Sequence, residues 1–197
     1  VTSCISIGTA AMVFAIRGDI AGPMSAAFQI TNEQMGLIFS PAFWAFTVAI
    51  FVSGNLVDIV GMRVIHVLSA LGFIGGVALV LLAPRPDGPV ASLFDHTGTM
   101  LLFVGFFMFG LSHGLVEGVI NPLMATIYSD QKTKRIVAVH AWWPAGLITG
   151  GLLTLALSKY LGAGWQVRLA LILVPAASYL VLALSVPYPK TERATSN

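Results

Sequence analysis

The sequence predicts an all-α integral membrane protein with six transmembrane helices, and three observations point there. Hydrophobic residues make up 57% of the chain and charged residues only 9%, whereas a soluble domain carries roughly 25% charged residues. The apolar residues gather into six stretches, each near the roughly 20 residues that a helix needs to cross the hydrocarbon core. Between them lie short polar or Pro- and Gly-rich breaks that cannot continue a helix. Mean hydropathy is +0.89, which excludes a water-soluble enzyme fold and makes the lipid bilayer the first partner. A net charge of +2, without any basic segment interleaved with aromatics, argues against a nucleic-acid partner. The lone Cys4 rules out an intramolecular disulfide framework and a Cys-rich metal site.

Helix one is expected over residues 2–23 or a few beyond, with Arg17 and Asp19 inside it. A polar break at 29–34 precedes helix two. Thr31 or Asn32 suits its N-cap, and Glu33 in the first turn suits the helix dipole. Helix two runs to about residue 57 and, after the turn 58–63, helix three covers about 64–83. Pro84-Arg-Pro-Asp-Gly-Pro89 opens an expected exposed loop through about Thr97. Helices four, five and six are expected over about 98–127, 136–160 and 166–186. Residues 1–186 thus form one six-helix bundle, with a polar tail over 187–197. No repeat is visible between the first three helices and the last three.

Lys and Arg set the expected orientation. Arg63, Lys132, Lys134, Arg135, Lys190 and Arg193 fall on one side; Arg85, Lys159 and Arg168 fall on the other. That imbalance puts the first set, and the amino terminus, on the cytoplasmic side of a plasma (inner) membrane.

The fourth helix carries the most telling stretch, Gly110-Leu-Ser-His-Gly-Leu-Val-Glu-Gly-Val-Ile-Asn-Pro122. His113, Glu117 and Asn121 recur every four residues and share one face, while Gly110, Gly114 and Gly118 form a neighbouring stripe. The small stripe lets another helix approach closely. An intramembrane carboxylate beside an imidazole marks a pathway or a proton site. A buried carboxylate suits proton coupling because desolvation favours its neutral form, and His113 could stabilise the ion or relay the proton.

The turn between helices two and three reads Gly54-Asn-Leu-Val-Asp58-Ile-Val-Gly61-Met-Arg63. It resembles the Gly-x-Leu-x-Asp-x-x-Gly-x-Arg signature of the major facilitator superfamily, at the expected loop. The resemblance implies a twelve-helix fold of which these six helices are the amino-terminal half. It also implies a cytoplasmic gate built on Gly54, Asp58, Gly61 and Arg63. The family's usual basic residue after the Asp is replaced by Ile59. Residues 187–197 would then open the central cytoplasmic linker, and a carboxy-terminal six-helix half would be the missing partner. A chain that starts at Val1 fits a piece of a longer protein.

A narrower resemblance covers about residues 15–151. Gly18-Asp19-Ile20, Pro23 and Ala27-Phe28-x-Ile30-Thr31-Asn32 in helix one, and Gly114-Leu-x-Glu117-x-x-x-Asn121-Pro122 in helix four, are similar to the fucose–proton symporter branch. That similarity implies proton-coupled uptake of a sugar or related small polar solute. Asp19 would line the substrate cavity and Glu117 would take up and release the proton, with Asp19 and His113 joined to that coupling. His140 stands where the branch often carries a Gln or His facing sugar. The Asn that the branch can carry before its helix-one Asp is Gly18 here, and Arg17 is an extra charge.

Sugar hydroxyls need Asn, Gln or His partners and a ring face to stack on, so Asn121, His140, Trp44, Trp142 and Trp143 are candidates. Arg17 and Asp19 sit two apart, on roughly opposite sides of their helix. Arg17 therefore reaches toward Glu117 or Asp58, or it binds an anionic substrate, which would make the solute a sugar acid or other organic anion. His113, Glu117 and His140 have metal-ligand chemistry, but nothing in the sequence fixes them around one point; neither metal nor cofactor is expected. Helix five has Pro144-Ala-Gly146 and Gly150-Gly151, not the Gly-Pro-x-x-Gly-Gly run of drug–proton antiporters. No HExxH or Gly-x-Ser-x-Gly motif is present, so a transporter is expected rather than a membrane enzyme or a non-transporting scaffold.

Overall fold

The computed structural model describes residues 1–190. Six helices are long and apolar enough to cross a membrane: α1 Thr2–Phe28, α2 Asn32–Val60, α3 Met62–Leu81, α4 Thr97–Ile127, α5 Ser129–Leu161 and α6 Trp165–Ser185. The expected all-α, six-span architecture is therefore what forms. The linker expected over 187–197 falls largely on 191–197, which lie outside the described residues.

Local chemistry explains the helix ends. Gln29 closes α1 in the left-handed region, at φ 51°. Thr31 caps α2 through a capping box: its hydroxyl accepts from the Gln34 N–H at 3.1 Å, and Gln34 Oε1 accepts from the Thr31 N–H at 2.9 Å. Gly61, at φ 90°, makes the corner between α2 and α3 without the clash a Cβ would bring.

Two expectations need correction. The 84–97 segment is not simply an exposed loop, because Pro86 and Leu93 are buried. Gln34 Nε2 donates to the Val90 carbonyl at 2.8 Å, and Thr99 Oγ1 donates to the Leu93 carbonyl. Side chains of α2 and α4 thus satisfy its backbone and let Leu93 turn inward. Helix five also starts earlier than residue 136. A 3-10 turn at Ser129–Gln131 leads into the α-helix Lys132–His140, so its basic residues lie on a helix rather than in a loop.

Helix α4 packs against α2 and α3, α1 against α5 and α6, and α3 against α6. Ile16, Met24, Phe28, Phe73, Phe106 and Tyr179 are fully buried where α1, α3, α4 and α6 converge. Helices α2 and α5 leave most of their surface uncovered. In lipid, apolar residues gain little by leaving their surroundings, so close packing of small residues holds helices together. The Gly110, Gly114, Gly118 stripe does this against α2. A Cβ at Gly114 would lie 2.5 Å from Ala49 Cβ and 2.6 Å from the Phe46 carbonyl oxygen. Gly114→Val is therefore expected to force α4 off α2 and destabilise the bundle by about 2–3 kcal/mol. Thermal unfolding of the complete protein in detergent measures that loss.

Candidate functional site

Glu117 lies in the second half of α4 between Gly114 and Gly118, two of the three glycines that bring α2 close. Its carboxylate stands between two imidazoles: His140 Nε2 is 3.1 Å from Oε2, and His113 Nε2, one turn back on α4, is 3.8 Å from Oε1. The Glu117 side chain is 14% exposed, so water reaches it sparingly.

The protons follow from the partners. His140 Nδ1 lies 2.9 Å from the Ile136 carbonyl oxygen, which can only accept, so Nδ1 carries a hydrogen. A neutral His140 then presents a bare Nε2, which can bond only to a protonated Glu117; an imidazolium can instead donate to the carboxylate. Either way, one proton sits between Nε2 and Oε2. Losing it would set a lone pair against a carboxylate and break the contact. Among the described residues no group of three His, Cys, Asp or Glu is arranged to hold a metal ion.

The His113 ring stacks on Trp143 at 4.8 Å and 17° and lies 4.3 Å from the Phe46 ring. Asn121 Nδ2 donates to the Glu117 carbonyl at 3.3 Å. Pro122, lacking an N–H, leaves the Gly118 carbonyl without its usual helical donor. The helix is thus loosened one turn after the carboxylate.

Glu117 and Asn121 open onto a groove of about 430 Å³ that is also lined by Gly54, Asp58, Ile50 and Thr126. The α2 end of the turn motif and the α4 carboxylate therefore share one surface. At the other end of the motif, Arg63 Nη2 donates to the Val186 carbonyl at 2.6 Å. Its guanidinium lies 5.8 Å from the Tyr188 ring, and the Tyr188 hydroxyl is 2.8 Å from His66 Nδ1. Burial pushes the Tyr188 phenol up to about 12 despite Arg63 beside it, so it stays neutral. The motif turn is thereby fastened to the end of α6.

Asp19 stands in another cluster. Its Oδ2 accepts from Thr154 Oγ1 on α5 and from Arg168 Nη1 on α6, each at 2.5 Å. Arg168 is 5% exposed, so it does not act as a free charge at a helix end. Counting it among the orientation charges leaves out this pairing; without it the balance becomes six against two, in the same direction. Pro23, four residues after Asp19, leaves the Asp19 carbonyl without a helical donor.

Arg17 does not reach Glu117. It lies under aromatic rings, 4.2 Å from the Phe14 centroid and 4.6 Å from that of Phe43. Of the three tryptophans, only Trp143 joins the Glu117 cluster, through His113. Trp44 packs on Phe107 at 5.2 Å. Trp142 borders an apolar groove between α1 and α5 with Gly8 and Gly146.

Sequence reasoning missed Arg168 and Thr154 as partners of Asp19, and Tyr188 and His66 as partners of the turn motif. A signal existed for Arg168: a cation inside Trp165-Gln-Val-Arg-Leu-Ala-Leu-Ile-Leu needs an anion, and Asp19 is an acidic residue within an expected span. Tyr188 carried no signal, lying in a stretch read only as polar tail.

A family model described as Major Facilitator Superfamily matches residues 2–197. No curated protein sequence is matched. Among solved structures, the inward-open xylose transporter XylE from E. coli aligns with a TM-score of 0.75 at 16% identity, over 100% of this chain and 48% of that chain. The major facilitator proton:xylose symporter XylE bound to 6-bromo-6-deoxy-D-glucose aligns with a TM-score of 0.76 at 14% identity, over 99% of this chain and 47% of that one. At such identities the likeness is one of fold, and the chain spans about half the length of those structures. Six membrane-capable helices, the Gly54–Arg63 turn and a family match over nearly its whole length make this chain a multi-pass membrane protein of the major facilitator superfamily.

Proposed function

We propose that the chain forms the amino-terminal half of a proton-coupled symporter that takes up a sugar or related small polar solute by alternating access. The observation that carries this reading is the 3.1 Å contact between His140 Nε2 and Glu117 Oε2, which needs one proton between them, with Glu117 lining a groove shared with Asn121 and Asp58. With the proton in place, His140 bridges α5 to α4. When the proton leaves, the bridge opens and the two helices can part, which couples protonation to the shape of the groove.

Several features support the finer roles. Asn121 and His140 offer hydrogen-bonding groups of the kind that recognise hydroxyls, and Trp143 offers a ring face. The Asp19 and Glu117–Asn121–Pro122 patterns resemble the fucose–proton symporter branch, and the aligned XylE structure is described as a proton:xylose symporter. In this reading the uncovered surfaces of α2 and α5 meet a second six-helix half. The Gly54–Arg63 turn faces the cytoplasm, as does the amino terminus, and residues 187–197 lead into the central linker. The protein moves a solute unchanged and is not an enzyme.

Proteoliposomes containing the complete protein and an internal pH dye test the proposal. Adding aldopentoses, aldohexoses and 6-deoxy sugars one at a time is expected to acidify the lumen for at least one of them. Absence of a proton flux with every member of that panel overturns the sugar reading.

A further inference from the structure

Arg17 is 9% exposed, yet among the described residues it makes no hydrogen bond and no ion pair. A guanidinium at membrane depth without an anion is costly, and aromatic faces offset only part of that cost. The rings of Phe14 on α1 and Phe43 on α2 cover it. Arg17 lines a cavity of about 140 Å³, whose remaining wall includes Val13, Phe46, Phe106, Phe109 and His113.

The chemistry of that wall selects a ligand. A cavity of about 150 Å³ lined by apolar side chains is large enough for a benzene ring. This cavity adds one guanidinium and one imidazole. A sugar would leave most of its hydroxyls facing phenyl rings without partners, and buried unpaired polar groups are rejected strongly. A carboxylate on a flat apolar body would satisfy both parts of the wall, because the planar guanidinium fork matches a carboxylate bidentately.

We propose that this cavity is a binding site for a small organic carboxylate with an aromatic or flat apolar body. The carboxylate lies on Arg17 and the body lies among Phe46, Phe106 and Phe109. The bound anion is one side chain from the proton site, since His113 lines the cavity and also faces Glu117 at 3.8 Å. The site stands apart from the sugar reading and does not rest on it.

Equilibrium dialysis of the complete protein in detergent, with benzoate as probe and benzamide as its neutral counterpart, tests the proposal. Benzoate is expected to bind saturably and at least about tenfold tighter than benzamide, the contrast that a charge-assisted pair supplies. Arg17→Gln is expected to lower benzoate affinity by at least about tenfold, and Val13→Phe, which fills the cavity while keeping Arg17, by at least as much. Equal binding of benzoate and benzamide, no saturable benzoate binding, or benzoate affinity unchanged in a folded Arg17→Gln protein overturns the site. None of these readouts involves a sugar or a proton flux, so failure here leaves the uptake assay standing, and failure there leaves this site standing.

Discussion

Replacing Arg168 with Leu is expected to destabilise the complete protein by about 2–4 kcal/mol, and replacing Asp19 with Leu at the same time is expected to recover most of that loss. The single change orphans a carboxylate that Arg168 and Thr154 now hold between α6 and α5. Removing one member of a buried pair leaves an uncompensated charge, whereas replacing both with leucine fills the junction with apolar side chains and leaves no charge unpaired. The Asp19 side chain is 29% exposed, so water softens the penalty toward the lower end of that range. Unfolding of the four proteins of the double-mutant cycle, in detergent, measures the coupling directly. Loss in the double variant equal to the sum of the two single losses would show that the pair does not act as a unit.

The same cycle separates two roles for Asp19. If its task is to tie α1 to α5 and α6, transport returns with stability in the double variant. If Asp19 contacts the solute, the fold returns and transport does not.

The parts of this molecule legible in its sequence are those governed by local spacing. Six apolar runs of spanning length announce six helices, because every backbone group must be satisfied within its own segment in lipid. Gly110, Gly114 and Gly118 announced a close helix contact, and Gly61 announced a sharp corner. The pairing of His113 with Glu117 was legible for the same reason, being one turn apart on one face.

What was not legible depends on the register between helices. Nothing in the spacing says that His140 faces Glu117 across the α4–α5 contact, or that Arg168 meets Asp19 from the last span. Arg17 shows the boundary within one residue. Phe14, three positions earlier, shares its face and could be anticipated, but Phe43 comes from α2 and could not. The 84–97 segment misled for a different reason. Its prolines and glycine correctly forbid a helix, yet they say nothing of Leu93 turning inward once Gln34 and Thr99 satisfy the carbonyls around it.

Asp19 and Glu117 stand in two separate clusters. Asp19 is held by Thr154 and Arg168 at a three-helix junction, while Glu117 shares its groove with the α2 end of the turn motif. The proposed coupling therefore falls on the α4–α5 bridge, whose proton is the only thing that makes a His140–Glu117 contact of 3.1 Å favourable.

Glu117→Gln in the complete protein, reconstituted with an imposed proton gradient, probes that bridge most directly. Gln keeps the size of the side chain and a hydrogen-bonding group for His140 but cannot take up or release a proton. Accumulation of solute against its gradient is expected to vanish, while exchange of labelled for unlabelled solute continues. Accumulation that persists at the level of the unaltered protein would contradict Glu117 as the coupling site.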